Sequence, residues 1–430
     1  MFDLIVRNLK FPSDNVLKDI GIKDGKIKEI GKIVSYGKKE IDALGDLVLP
    51  PFVESHIHLD TVLTAGTPRW NESGTLFEGI QIWGERKKEL TIEDVKSRAV
   101  QVLLNQLSYG ILNVRTHVDI SDPNLIALRA LIEIKEQVSP YINLQIVAFP
   151  QDGILSNHGN LKRLEEALRL GADAVGAIPH NEYTRENGIE SLKYCFSLAE
   201  KYNRMVNVFC DETDDGQSRF LEVVAMLALK TGLKQRVTAS HANAMAYYPD
   251  PYAARLMGLL QESEVNIISC PLVSSVMQER YASWPKGRGI TRIKELWQAG
   301  INVSIGHDDI MTPFYPFGTG NMLQAAHMAV HLAQMTGRQE VEEVINMITI
   351  RGAKALQIES QYGLSVGKPA NFVTIPAEDS FDLIRNQPKC RFVISNGKII
   401  LQNKYHQPQL NLDGILSNSS KKSHSVKEIM

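Results

Sequence analysis

Two histidines separated by a single residue, His56 and His58, are the first side chains in the sequence whose spacing suggests metal chemistry. They stand at the end of a short segment, residues 52–55, that begins with Phe52 and Val53 and is a candidate β-strand. Side chains two positions apart in a strand point to the same side, so both imidazoles can face one ion. A pair of polar residues at a strand end explains the same spacing equally well, so the interpretation depends on the neighbouring strands.

Polar residues follow the other apolar runs in the same way. Barrel enzymes hold their catalytic groups at the carboxyl ends of the strands, so these residues are expected to meet at one rim. They are His117 and Asp119, Gln151 and Asp152, His180, Asp211 and Glu212, His241, and His307 with Asp308 and Asp309. Imidazole and carboxylate ligands suit Zn²⁺ or Fe²⁺, and a water at an open coordination position would supply hydroxide near neutral pH. A carboxylate such as Glu212 can shuttle protons. Metal ligands, an activated water and a proton shuttle are together the groups that a metal-dependent hydrolase needs.

The elements that must position these groups are eight apolar runs, each followed by a segment with the apolar spacing of a helix. The runs begin at residues 52, 111, 144, 174, 205, 237, 265 and 301. They are almost continuously apolar, as expected for parallel strands that are covered on both faces. Eight strand–helix units predict an α/β fold, a (β/α)8 barrel over residues 51–364.

The two chain ends have a different pattern. Short alternating strands fill residues 1–50, with a hairpin turn at Asp24-Gly25, and similar strands return after residue 365, with a turn at Asn396-Gly397. We expect residues 1–50 and 365–412 to pack together as a small β-sandwich domain, because a two-stranded ribbon alone is marginally stable. Residues 413–430 lack apolar periodicity and are predicted to be a flexible tail.

Composition excludes several classes of protein. The 47 basic and 49 acidic residues nearly balance, with a net charge of −2, which argues against nucleic-acid binding through excess positive charge. No apolar run reaches the roughly 18–20 residues of a membrane span, and the N-terminus lacks the pattern of a secretory signal. The four cysteines form no paired motif, so we expect reduced thiols in a cytoplasmic protein.

The segments around the rim residues resemble the bacterial cytosine deaminases of the amidohydrolase superfamily, over about residues 15–405. The similar segments are PPFVESHIHLD at 50–60, WNESGTLFEGI at 70–80, RTHVD at 115–119, QIVAFPQ at 145–151, GAIPH at 176–180, CDETDD at 210–215 and GHDD at 306–309. The resemblance implies a distorted TIM barrel with a β-sandwich built from both chain ends, one divalent metal (Fe²⁺ or Zn²⁺) and a homo-oligomer. It also implies hydrolysis of a cytosine-like base to uracil and ammonia.

Residue by residue, the resemblance implies roles for most of the site. His56, His58 and Asp308 fall on metal-ligand positions, Glu212 on the proton-shuttling acid, and His241 on the histidine that orients the attacking water. On the substrate side, Gln151 falls on the glutamine that binds the ring edge, Leu76 on a backbone carbonyl that meets the substrate amine, Asp309 beside the ring and its amine, and Phe314 on an aromatic that is usually tryptophan.

Besides Phe314, one other position departs from the family pattern, and this departure is more serious. A third metal-binding histidine precedes the acid by three residues in the family, and this sequence has Phe209 there. Three consequences stay open from the sequence: two histidines and Asp308 hold the metal alone, His241 becomes the missing nitrogen ligand, or the protein only binds a ligand without catalysis. Another amino-substituted N-heterocycle, such as isocytosine, a triazine or a creatinine-like ring, is the alternative substrate.

Overall fold

A computed structural model describes residues 1–12 and 16–404 of the chain. Its strands are, in chain order, β1 (Phe2–Leu9), β2 (Lys18–Lys23), β3 (Lys26–Gly31), β4 (Gly37–Asp42), β5 (Leu47–Leu49), β6 (Phe52–Ile57), β7 (Ile111–Asp119), β8 (Asn143–Phe149), β9 (Ala174–Val175), β10 (Met205–Cys210), β11 (Val237–His241), β12 (Asn266–Ser269), β13 (Val303–Ile305), β14 (Phe372–Ile375), β15 (Phe392–Ser395) and β16 (Lys398–Gln402).

The α-helices alternate with the central strands. They are α1 (Leu76–Arg86), α2 (Ile92–Ser108), α3 (Ile126–Val138), α4 (Asn160–Leu170), α5 (Arg185–Tyr202), α6 (Phe220–Thr231), α7 (Asp250–Ser263), α8 (Pro271–Met277), α9 (Ile293–Gln298), α10 (Met322–Leu332), α11 (Arg338–Met347), α12 (Ile350–Ala355) and α13 (Ser380–Asn386). None of the helices within the described residues is long and apolar enough to span a bilayer.

Strands β6 to β13 form one eight-stranded parallel sheet in sequential order. An isolated parallel bridge between Ile57 and Asp308 joins the first strand to the segment that follows the last one, so the sheet curls into a nearly closed barrel. These strands are almost entirely buried because helices cover the outer face and side chains fill the interior. The α/β barrel predicted from the eight apolar runs is confirmed.

The chain ends build two four-stranded sheets outside the barrel, in the orders β3-β2-β1-β4 and β16-β15-β14-β5. Both predicted hairpins are present, since Lys23 pairs with Lys26 and Ser395 pairs with Lys398. Side chains from the two sheets share one apolar cluster, which is the packing that the sequence predicts. The members of this cluster include Leu4, Val6, Ile20, Ile22, Phe372, Phe392 and Ile394. The predicted continuation to residue 412 and the predicted flexible tail at 413–430 lie outside the described residues.

Candidate active site

The end of the first barrel strand and the loop after the last one bring three predicted ligands together. His56 lies within β6 and His58 immediately follows it, and the alternation of the strand turns both imidazoles to the same side. Asp308 Oδ1 lies 3.5 Å from His56 Nε2 and 3.7 Å from His58 Nε2. All three side chains are buried. The arrangement therefore gathers two imidazoles and one carboxylate around a single point, as a metal site requires.

Phe209 lies in the middle of this cluster, at the end of β10. Its ring centroid is 4.9 Å from those of His56 and His241 and 5.5 Å from that of His58. The ring stacks on Phe149 at 4.0 Å and forms a small apolar cluster with Phe149 and Ile178. The position at which the family resemblance implies a histidine ligand thus contributes an apolar wall and no lone pair.

The remaining donors nevertheless fit a metal ion. Ligand atoms of His56, His241, Cys270 and Asp308 all lie within 4.8 Å of one another, and all four side chains are buried. Among the described residues, neither His56 Nε2 nor either ring nitrogen of His241 has a hydrogen-bond partner. Buried polar atoms are nearly always paired, so unpaired imidazole nitrogens facing a carboxylate indicate a site for a cation.

Hydrogen bonds hold the ligands in place from beneath. The Glu54 carboxylate accepts hydrogen bonds from the backbone N–H groups of His56 (3.2 Å) and His307 (2.9 Å), which ties the first strand to the segment after the last. His56 Nδ1 lies 2.9 Å from Ser240 Oγ, which also accepts a hydrogen bond from Asn207. A proton on His56 Nδ1, donated to Ser240, leaves the lone pair of Nε2 free for a metal.

The backbone at two site residues is strained. His241 and Asp308 both have φ of 73°, in the left-handed region that non-glycine residues rarely adopt. Such conformations cost about 1–3 kcal/mol each and are concentrated at functional sites.

Burial shifts the pKa values of the histidines and carboxyl groups throughout the site. It lowers the pKa of His58 to about 4 and the pKa values of His56 and His241 well below their ordinary value, and the neighbouring imidazoles add to the shifts of the latter two. Burial and the charge of Asp309 raise the pKa of Glu212 to about 8 and raise that of Asp308 well above its usual range. A histidine binds a metal through its neutral imidazole, which is the form that burial favours here. The crowded carboxyl groups can ionise together only if a positive charge lies nearby.

The predicted substrate-binding residues surround one pocket beside these ligands. Its lining residues are His58, Leu76, Gln151, Phe209, Glu212, Val273, Met277, Asp308, Asp309 and Phe314. The two predicted site residues outside this lining contact it, since His56 lies against Asp308 and His241 Nδ1 is 3.7 Å from Glu212 Oε1. The free volume is only about 20 Å³, so a ring can enter only when lining side chains move aside.

A wider cavity of about 420 Å³ lies outside this pocket and shares Leu76, Gln151 and Glu212 with it. Its outer wall carries Phe77, His180, Tyr183 and Arg185, and both Phe77 and Tyr183 are exposed. The two cavities together form an entrance and an inner chamber at the carboxyl ends of the barrel strands.

One group of this site was missed in the sequence, and another was placed at the rim without a role. Cys270 directly follows β12, the strand end for which no polar group was considered. His117, which the sequence placed at the rim, stacks on His56 with a centroid distance of 3.9 Å. The rule that sets functional residues at strand ends could have found Cys270 as well. Cys270 was not considered as a ligand because the cysteines were interpreted only as reduced thiols. The four cysteines are indeed free and buried.

A model of the amidohydrolase family (Amidohydro_3) matches residues 39–401, most of the chain. The chain belongs to the amidohydrolase family. It is 32% identical over 410 residues to N-isopropylammelide isopropyl amidohydrolase of Pseudomonas sp. (strain ADP), covering 94% of this chain and 98% of the relative. It is 24% identical over 395 residues to pterin deaminase of Rhizobium rhizogenes (strain K84 / ATCC BAA-868), covering 90% and 89% of the two chains.

The fold is also similar to that of a solved deaminase. The crystal structure of 5-methylcytosine deaminase from Klebsiella pneumoniae, liganded with 5-fluorocytosine, superposes with a TM-score of 0.92 and 43% sequence identity, over 94% of this chain and 99% of that one. The resemblance to the cytosine deaminases of the amidohydrolase superfamily is therefore confirmed. The chain is an enzyme of a metal-dependent family that hydrolyses C–N bonds, which removes the alternative of a protein that only binds a ligand.

Proposed function

We propose that this amidohydrolase deaminates a cytosine-like base, with water and the base giving a uracil-like product and ammonia. The observation that carries the proposal is the meeting of Gln151, Glu212, Asp308 and Asp309 in one pocket beside two histidines. The 43% identity to 5-methylcytosine deaminase supports the choice of a pyrimidine substrate.

In this proposal His56, His58 and Asp308 hold one divalent cation, Fe²⁺ or Zn²⁺. Such a cation, when bound, lowers the pKa of a water and supplies a nucleophile near neutral pH. The chain's own contribution is to keep both imidazoles neutral through burial and to keep their distance from Asp308 Oδ1 at 3.5 and 3.7 Å.

Glu212 is the proposed proton shuttle. Its pKa of about 8, raised by burial and by Asp309, means that it carries a proton at neutral pH and can give it to a ring nitrogen of the substrate. His241, 3.7 Å from Glu212, is the proposed residue that orients the attacking water. Asp308 takes one proton from that water and gives it to the departing amine, which leaves as ammonia when the C–N bond breaks. The second water proton returns to Glu212 as the new carbonyl forms.

The substrate ring would lie between Gln151 and Phe314. The Gln151 amide offers both a donor and an acceptor to a pyrimidine edge, and the Leu76 carbonyl and Asp309 accept from the exocyclic amine. Phe314 packs closely on helix α1 because Gly79 has no side chain there, and a Cβ at position 79 would lie 2.6 Å from the Phe314 ring. Contacts of this kind hold the ring in the geometry needed for attack, and such positioning supplies a large part of catalysis.

The test is ammonia release from the metal-loaded protein with cytosine and 5-methylcytosine, compared with isocytosine as an isomer that carries its amine elsewhere. We expect turnover of at least one of the first two and a much lower kcat/KM for isocytosine. A protein that contains its metal and releases no ammonia from any amino-pyrimidine would overturn the proposal. The Glu212→Gln variant is the control for background hydrolysis.

A second candidate substrate is another amino-substituted N-heterocycle, such as a triazine or a creatinine-like ring. Two observations favour it, the 32% identity to N-isopropylammelide isopropyl amidohydrolase and the outer cavity of about 420 Å³, which a lone pyrimidine would not fill. The ratio of kcat/KM values for pyrimidines and triazines separates the candidates, because that ratio measures differential binding of the transition state. Assembly into a homo-oligomer stays a prediction.

A further inference from the structure

Phe209 stands where a nitrogen ligand is expected, so the metal site is one nitrogen ligand short. The site also contains a sulfur atom, that of Cys270, which has no role in the proposed mechanism. Cys270 is completely buried and free, and its sulfur lies within 4.8 Å of a carboxylate oxygen of Asp308, the residue that both histidines approach. Phe209 cannot be a ligand because its ring has no lone pair.

The local geometry places this sulfur among the ligands. Cys270 follows β12, which pairs with β13 on the side of the barrel that closes against β6. Gly306 lies between the sulfur and the first histidine, where an added Cβ would be 3.2 Å from Cys270 Sγ and 2.7 Å from His56 Cβ. The absence of a side chain at position 306 therefore allows Cys270 and His56 to pack close together.

The distances between the ligand atoms are close to those around a bound zinc ion. Bonds of 2.0–2.3 Å to Zn²⁺ place neighbouring ligand atoms roughly 3.3–3.8 Å apart. The His56 and His58 nitrogens lie 3.5 and 3.7 Å from Asp308 Oδ1, and the sulfur belongs to the group whose ligand atoms all fall within 4.8 Å. Small side-chain movements suffice to bring Cys270 into coordination.

We propose that the Cys270 thiolate is a ligand of the active-site metal, beside His56 and Asp308, in place of the imidazole that is absent at position 209. The inference rests on the proposed function, in that it takes this site to bind a divalent cation. On binding, the thiol proton is released to solvent and one sulfur–metal bond forms, with no change of oxidation state. A soft thiolate favours Zn²⁺ over Fe²⁺, so the inference also selects zinc as the resident ion.

Cobalt substitution tests the ligand directly in the full-length protein. Co²⁺ replaces Zn²⁺ at such sites, and a cobalt–thiolate bond gives an intense near-ultraviolet charge-transfer band that nitrogen and oxygen ligands do not give. We expect this band in the wild type with about one cobalt per chain, its loss in Cys270→Ser, and a zinc affinity at least about ten-fold lower in that variant. Cys195→Ser, which changes a buried cysteine on α5 away from the site, is the matched control and should keep the band.

The double variant Phe209→His/Cys270→Ser keeps the test valid if the single variant folds poorly. It restores a nitrogen ligand, so we expect zinc affinity to return without the thiolate band. A wild-type protein that binds one cobalt without the band, with metal affinity unchanged in Cys270→Ser, would overturn the role of Cys270 and leave the proposed deaminase intact. Wild-type protein that binds neither cobalt nor zinc would overturn both.

Discussion

Two residues of one strand, Arg115 and His117, are buried inside the barrel two positions apart and have opposite surroundings. The Arg115 guanidinium donates to Gln145 Oε1 at 2.9 and 3.0 Å, to Asn207 Oδ1 at 3.2 Å and to the Ala355 carbonyl at 2.9 Å. His117, nearer the carboxyl end of the strand, has no hydrogen-bond partner for either ring nitrogen among the described residues.

The difference separates a layer that stabilises the barrel from a layer that serves chemistry. Arg115 is a buried charge, and burial lowers its pKa to about 10, but its donors are satisfied by side chains from several strands. The layer above contains unpaired nitrogens of His56, His117 and His241 together with crowded carboxyl groups. Unpaired buried polar groups cost stability, so their concentration at the rim indicates that a ligand normally satisfies some of them.

The largest expected effect is on activity, at the rim. Glu212→Gln removes the exchangeable proton while keeping the shape of the side chain, and we expect kcat/KM to fall by about 10²–10⁴-fold. The free energy of unfolding should stay the same or rise, because a buried ionisable group is removed. Ammonia release and urea unfolding measure the two effects, and a large loss of stability would place Glu212 in the structural layer instead.

The second-largest expected effect is on the stability of the protein, and it concerns the barrel layer that contains Arg115. Arg115→Met leaves the acceptors on Gln145, Asn207 and Ala355 without donors, and we expect the free energy of unfolding to fall by about 3 kcal/mol. Activity per folded molecule should change little at temperatures well below the unfolding midpoint. A variant that remained fully stable but lost activity would contradict the division into two layers.

Ser240 connects the layers, since its hydroxyl lies between Asn207 and His56. Ser240→Ala removes the group that fixes the orientation of the His56 ring, and we expect metal affinity to fall about 10–100-fold with a small change in stability. Competition with a chelator measures the affinity. The Thr238→Val variant, in the same strand but beside Arg115, is the control and should leave the affinity unchanged.

The smallest expected effect is on the stability of the metal-free protein, and it compares His117 with Arg115 most directly. His117→Leu replaces a ring with unpaired nitrogens by an apolar side chain of similar volume, so the metal-free protein should become more stable by about 1 kcal/mol. Arg115→Met, two residues away, changes stability in the opposite direction. Urea unfolding after removal of metal compares the two, and a destabilised His117→Leu protein would mean that His117 has a structural partner.

Much of the fold follows from local pattern. The eight apolar runs were visible because strands buried on both faces lack polar residues, and the two hairpins were visible because glycine tolerates the positive φ of a tight turn. Boundaries were less predictable at the shortest strands. The fourth barrel strand covers only Ala174–Val175, although the apolar run continues through Ile178, because Pro179 starts a turn of 3₁₀ helix.

The sequence alone determined which side chains stand at the strand ends and that His56 and His58 face the same way, because alternation along a strand is a local property. It also determined that position 209 has no metal-binding atom. Only the tertiary structure decided which of these groups meet. Barrel closure brings β6, β12 and the segment after β13 together, so Cys270 meets Asp308 and also reaches His56, which lies more than two hundred residues earlier in the chain. Distance along the chain carries no information about such contacts, since they depend on strand order and closure.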